Sequence, residues 1–187
     1  MRARVVLFSL LALTGPAATA APETSWPSDS IYQLEAELTS QDGKSHGLDL
    51  YAGHPVLVTM FYGTCPATCP LIVETLRAIE QATPPAQRTA LRVLMISIDP
   101  ERDSAASLAT LAKSRRIDTA RWTLARTDAA NVRDIAAVLN IQYRKLPNGE
   151  YNHSTVITML SPKGEIVRQS SVIGRADQSL LAALSGA

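Results

Sequence analysis

A chain of 187 residues with 46% hydrophobic and 19% charged residues is long enough to bury one core unaided, so its two cysteines are not required as staples. A formal net charge of +1 offers no basic surface for nucleic acid, and 5% aromatic residues leave little for single-stranded bases to stack on. The composition is that of an ordinary single globular domain.

At the N-terminus, Arg2 and Arg4 precede an apolar run over 5–13, then Thr14-Gly15-Pro16 and the small residues Ala17-Ala18-Thr19-Ala20-Ala21. This pattern reads as a secretory signal peptide over residues 1–20, cleaved after Ala20. The run is shorter than the roughly 20 residues a bilayer span takes, and Gly15-Pro16 would break a longer helix. The mature protein is therefore expected in the periplasm or otherwise exported, soluble, with no membrane span after cleavage. Residues 21–30 read as a flexible lead, and 31–187 as a single domain.

Within that domain, Ile31 to Leu38 has a partial period of two, and Gln41-Asp42-Gly43-Lys44 turns it into Gly47-Leu48-Asp49-Leu50, an N-terminal β-hairpin. The run Val56 to Tyr62 is apolar at nearly every position, the mark of a strand buried on both faces. Pro70 at a first helical position starts a helix running to about Ala82, with Leu71, Ile72, Thr75, Leu76 and Ile79 inward. The residue before a proline is biased away from the α region, which places Cys69 at the N-cap.

A second buried strand is expected at Leu91 to Ile98, stopped by Asp99-Pro100, and a helix from Ser104 to about Arg116, capped by Asp103-Ser104. Trp122 to Arg126 is a short strand. Asp128 caps a helix with Val132, Ile135, Ala136, Val138 and Leu139 inward. An irregular piece over 144–152 leads to a strand from His153 to Leu160, a turn at Ser161-Pro162-Lys163-Gly164, a strand to Val172 and a last helix from Asp177 to Leu184. The order of elements gives an α/β architecture with a mixed central sheet flanked by helices. Parallel units followed by a hairpin and a helix make it a thioredoxin-like fold with an extra N-terminal hairpin.

The chemistry centres on Cys65-Pro66-Ala67-Thr68-Cys69-Pro70. A disulfide here would close so short a loop that chain entropy contributes only about 2 kcal/mol, against roughly 4.7 for a 100-residue loop. A purely structural bridge is therefore the weaker reading. A cysteine at a helix N-terminus faces the positive end of the macrodipole, which favours the thiolate, at once redox nucleophile and soft metal ligand. The three-residue spacer permits either a disulfide or two sulfurs around one ion, and spacing alone does not choose. Of the histidines, His46 and His54 sit at surface turns. His153 enters a strand that would lie beside the cysteine strand, where a purely structural role is also open. The acids Asp99, Glu101 and Asp103 read as a strand stop and helix cap, with a docking surface or proton relay as the functional alternative.

The combination Tyr62-x-x-Cys65-Pro66-x-x-Cys69-Pro70, Ile96-Ser97-Ile98-Asp99-Pro100-Glu101-Arg102-Asp103 and His153-Ser154 ahead of a strand and a Pro-x-Gly turn resembles the Sco/SenC family, from about Tyr32 to the C-terminus. The resemblance implies an extracytoplasmic thioredoxin-like copper chaperone acting in assembly of the copper centre of cytochrome c oxidase. Cys65, Cys69 and His153 would then bind a copper ion, Cu(I) or Cu(II), and its recipient would be the copper-receiving oxidase subunit or another periplasmic copper protein. Two thiolates suit Cu(I) and an added imidazole suits Cu(II); zinc is a lesser fit. Family members commonly carry Asp where this chain has Ala67 and Asn152. The alternative is a periplasmic thiol–disulfide oxidoreductase using Cys65 and Cys69 as its redox pair on a thiol–disulfide partner, and a third reading is a peroxide-reducing relative on the same fold.

Overall fold

Six consecutive residues buried on both faces, Val56–Phe61, form the central strand β3, and the rest of the sheet is built outward from it. The computed structural model describes residues 25–65 and 68–186. The expected signal segment, the first part of the lead, Pro66 and Ala67 lie outside the described residues. No helix among the described residues is long and apolar enough to cross a membrane.

Around β3 stand β1 (Leu38–Ser40), β2 (Ser45–His46), β4 (Arg92–Ser97), β5 (Trp122–Arg126), β8 (Ile157–Leu160) and β9 (Ile166–Ser170). Together they make a seven-stranded sheet in the order β2-β1-β5-β4-β3-β8-β9. Strands β3, β4 and β5 run parallel, with Val56 opposite Arg92 and Phe61 opposite Ser97. β8 runs antiparallel on the other side of β3, with Val56 opposite Leu160 and Val58 opposite Thr158. The helices that accompany the sheet are α1 (Thr68–Ala82), α2 (Pro85–Ala90), α3 (Ala105–Ser114), α4 (Ala129–Val138) and α5 (Gln178–Ser185). This is the thioredoxin-like mixed sheet that the order of elements predicts, with the extra hairpin β1–β2 at one edge.

Burial explains the sheet. Every residue of β3 and β8 and all of β4 but Arg92 are buried, and each large apolar side chain so enclosed contributes about 1.5–3 kcal/mol. Phe61, Leu57, Ile72, Leu76, Ile79, Leu94 and Trp122 are the bulk of this core.

Several boundaries differ from expectation. The hairpin turns at Gly43, with φ +81°, but its strands are shorter and lie nearer the turn. Ile31–Gln33 is a 3-10 turn capped by the Ser30 hydroxyl, which accepts from the Tyr32 N–H at 3.1 Å, and Leu48–Tyr51 is a second. Ile31 and Tyr32 are buried side by side, which alternation cannot deliver. Helix α1 begins at Thr68 rather than Pro70, so Cys69 lies inside its first turn. Proline there still costs no intrahelical hydrogen bond, and the preceding residue's bias away from helix is overridden. Leu71 is half exposed and Val138 is 40% exposed, against the inward positions expected of them. α2 has no counterpart among the expected elements, because none of its residues is buried and it therefore has no apolar period. α3 is capped by Ser104 in a reciprocal box with Ser107, not by Asp103. The piece over 144–152 is mostly a separate hairpin, β6 (Tyr143–Lys145) and β7 (Tyr151–His153), and His153 closes that hairpin instead of starting β8.

Asp177 caps α5, accepting from the Ser179 N–H at 2.6 Å and from the Ser170 hydroxyl. These bonds hold its carboxyl down to about 2. A carboxylate whose folded value lies below the unfolded one contributes stability that is complete above about pH 4 and is lost as pH falls toward 2. Asp177→Ala is expected to lower stability at pH 7 by about 1 kcal/mol, and the gap to wild type should close between those two pH values in chemical denaturation.

Candidate metal and thiol site

The site begins where β3 ends. Beyond Phe61 the chain leaves the sheet, and the Cys65 N–H returns to the Tyr62 carbonyl at 3.2 Å. This tight turn brings Cys65 back over the start of α1. The Cys69 N–H donates to Cys65 Sγ at 3.4 Å, and Cys69 Sγ donates to the Tyr62 carbonyl at 3.3 Å. The two cysteines, not linked in a disulfide, are therefore neighbours, and each is 8% exposed. Against them lies a small hollow of about 10 Å³ lined by Phe61, Val73 and Met95 among others.

That environment reverses one expectation. Burial, ahead of every other influence, pushes the Cys69 thiol well above its ordinary range. Desolvation of the anion by burial is the largest influence on it and disfavours the thiolate that a helix N-terminus would otherwise favour. In this form Cys69 is a thiol donating to a carbonyl, and a ligand or base must take its proton before the sulfur acts.

An acid forty residues away shapes the turn. Asp103, 3% exposed, accepts from the Gly63 N–H at 2.9 Å and from the Ser97 hydroxyl at the end of β4. A Cβ at Gly63 would stand 2.5 Å from Asp103 Oδ1, so glycine is required by close approach. Asp99, 1% exposed, receives the Arg102 guanidinium. The two buried members of the acidic run thus serve the loops around the site, while Glu101 pairs with Lys145 at 2.8 Å on the surface.

His153 arrives on the β6–β7 hairpin. Because β8 is antiparallel to β3, the segment entering β8 passes the end of β3, fastened there by the buried Thr59 hydroxyl to the Val156 carbonyl at 2.8 Å. The His153 ring meets the Tyr62 ring edge to face at 5.9 Å between centroids. Its Nδ1 lies 3.1 Å from the Ser154 carbonyl, an acceptor only, which puts the proton on Nδ1 and the lone pair on Nε2. Nε2 is buried without a hydrogen-bond partner among the described residues, and burial holds the imidazole below its usual range. A neutral ring oriented through Nδ1 with a bare Nε2 is the form a metal takes. His153 also lines an open cleft of about 420 Å³, with Tyr143, Arg144 and Asn152 among its other walls.

The structure brings Cys65 and Cys69 together and sets His153 behind Tyr62. No group of three His, Cys, Asp or Glu side chains close enough to hold a metal is found among the described residues. His46 is spent locally, on the Ser40 hydroxyl at 2.7 Å and the Gly47 carbonyl at 2.9 Å, and His54 precedes β3 at the far end of the strand. Sequence reasoning gives Tyr62 and Arg102 no role at the site, and it favours capping for Asp99 and Asp103. The available signals are a tyrosine at a strand end and two acids directly after a buried strand.

A family model described as SCO1/SenC matches residues 28–184. Among solved structures, Bradyrhizobium japonicum ScoI with copper bound is 23% identical, covering 81% of this chain and 96% of its own, with a TM-score of 0.67. A SCO1/SenC family lipoprotein from Bacillus anthracis str. Ames is 17% identical over 87% of this chain and 98% of its own, with a TM-score of 0.74. BsSco, a member of the Sco family of cytochrome c oxidase assembly proteins in which a disulfide switch is identified, is 18% identical over 87% and 96%, with a TM-score of 0.67. At these identities the likeness shows the fold. A comparison with curated proteins finds no match.

The raised Cys69 value sets a measurable pH dependence. In Cys65→Ser protein, alkylation of Cys69 by iodoacetamide should be slow at pH 7 and still rising beyond about pH 10, where an ordinary thiol with a pKa of about 8.5 has levelled off. A plateau by that pH would contradict the buried-thiol geometry.

Proposed function

The chain belongs to the SCO1/SenC family, and on that premise we propose that it is an exported copper-binding metallochaperone whose cargo is held by Cys65, Cys69 and His153. The recipient is the copper-receiving subunit of cytochrome c oxidase or another periplasmic copper protein. The observation that carries this reading is the buried Nε2 of His153, without a hydrogen-bond partner among the described residues and with its ring packed on Tyr62 beside the cysteine turn. A buried polar atom left without a partner costs about 1–3 kcal/mol, a cost that a metal bond removes. Two soft sulfurs favour Cu(I), and an imidazole nitrogen extends the set to Cu(II).

The residues divide the work. Cys65 and Cys69 supply the sulfurs, and the Tyr62 carbonyl holds the Cys69 proton until the ion displaces it. Ser154 fixes the His153 tautomer. The apolar floor keeps water off the bound cargo, and the cleft beside His153 gives the recipient access. Delivery of an ion needs no turnover, so no catalytic cycle is assigned.

The nearness of the sulfurs supports a second reading, a periplasmic thiol–disulfide oxidoreductase that keeps the cysteines of a copper protein or another exported protein reduced. The pair would form its own disulfide as it gives two electrons to the target's disulfide, which becomes two thiols. This reading is indifferent to His153.

Copper titration of the reduced protein separates the two. One copper per monomer is expected, with Cys65→Ala and Cys69→Ala each weakening binding by at least about 100-fold and His153→Ala by about 10- to 100-fold. Unchanged affinity and spectrum in His153→Ala would refute the three-ligand site. Reduction of a disulfide substrate by metal-free protein, undiminished in that variant, would favour thiol exchange.

A further inference from the structure

The hairpin that carries His153 has no place in the main sheet. Among the described residues β6 and β7 pair with each other and with no other strand, each strand is three residues long, and a lone two-stranded hairpin is marginal in water. Its position is set from outside the hairpin, by the packing of Tyr151 and His153 on Tyr62 and by side-chain bonds to neighbouring elements. These converge from the loop between β4 and α3. The Arg102 guanidinium is anchored on the buried Asp99 carboxylate and donates to the Gly149 carbonyl at the hairpin turn, at 2.6 Å. The Tyr151 hydroxyl approaches the other oxygen of Asp99 at 3.4 Å, and Lys145 of β6 meets Glu101. On the cysteine side, the Tyr62 hydroxyl donates to Glu150 at 2.9 Å. The same loop, through Asp103, holds Gly63 ahead of the cysteines.

We infer that Asp99-Pro100-Glu101-Arg102-Asp103 is a two-sided bracket that sets the separation between the sulfur pair and the His153 imidazole, with Arg102 as its positioning residue on the histidine side. The bracket rests on the proposed metal site for its consequence, not for its geometry. Asp103 fixes the cysteine turn. Asp99 fixes the direction of Arg102, whose fork spans from that carboxylate to the hairpin's turn carbonyl. Of the bonds that Arg102 makes, the one to Gly149 joins the two halves of the site. Gly149, at φ +83°, turns its carbonyl into a position that the guanidinium reaches, with the Cβ direction 3.7 Å from Arg102 Nη1. A glutamine at 102 is too short to span both partners. A lysine reaches but lacks the fork.

The test uses metal-free, reduced protein first. In Arg102→Gln, amide exchange over 143–153 and modification of His153 by diethylpyrocarbonate should each become roughly tenfold faster, the factor set by losing one charge-assisted hydrogen bond. His46 and His54, resolved by peptide mass, should not change. The paired variant Asp99→Asn with Arg102→Gln leaves no buried charge unpaired and should behave alike if Arg102→Gln folds poorly. Arg102→Lys should recover part of the effect. After loading with Cu(II), both bracket variants should lose the nitrogen coupling seen by electron paramagnetic resonance while keeping the sulfur-to-copper absorption. Unchanged exchange and modification would overturn the bracket, as would a freed hairpin with unaltered nitrogen coupling. Absence of nitrogen coupling in the wild-type protein would instead overturn the ligand set, leaving the exchange result to judge the bracket by itself.

Discussion

The pairing of β3 with two neighbours of opposite sense governs the rest of this molecule. Parallel to β4, it delivers the cysteine turn and the Asp99–Asp103 loop to the same sheet edge, since both strands end together with Phe61 opposite Ser97. Antiparallel to β8, it brings the segment after His153 back past that same edge. A one-residue slip in either pairing would exchange the two faces of a strand whose side chains are packed on both. The register that packs the core is thus the register that assembles the site.

What that register does not decide is done by polar contacts made just outside the sheet. Buried carboxylates are costly unless paired, and Asp99 and Asp103 are each paired, one with a guanidinium and one with an amide and a hydroxyl. Their geometry is correspondingly strict, because a half-satisfied acid in the interior would be worse than none. Cys69 presents the opposite case. Burial pushes its thiol up, so its sulfur rests protonated rather than as a standing charge.

Much of the architecture is legible in the chain because the strongest signals are long and apolar. β3, β4 and β5 stand where their runs predict, and Asp128 caps α4 through the Ala130 and Asn131 amides as its position implies. The failures share a cause. α2, the two 3-10 turns and the β6–β7 hairpin are short and bury little, so periodicity has nothing to register. The turn Pro147-Asn148-Gly149 between Tyr-Arg-Lys and Tyr-Asn-His does carry a hairpin signal, which the polar residues around it obscure. At the candidate site, a helix N-terminus leads one to expect a lowered Cys69 thiol, whereas burial pushes it up. Desolvation depends on what packs around the sulfur, and no local pattern states that. The acids look like caps because capping is a local rule, whereas Asp103 acts across forty residues.

Gly63 limits how far this loop could be moved to another protein. The Cys65–Cys69 turn looks portable, a short segment between a strand and a helix. Yet the absence of a side chain at Gly63 leaves the space occupied by the Asp103 carboxylate, and that carboxylate is itself aligned by Ser97. A transplanted loop without its distant acid and hydroxyl would keep both sulfurs and lose the surface against which they are shaped. The smallest transferable unit is therefore discontinuous in the chain.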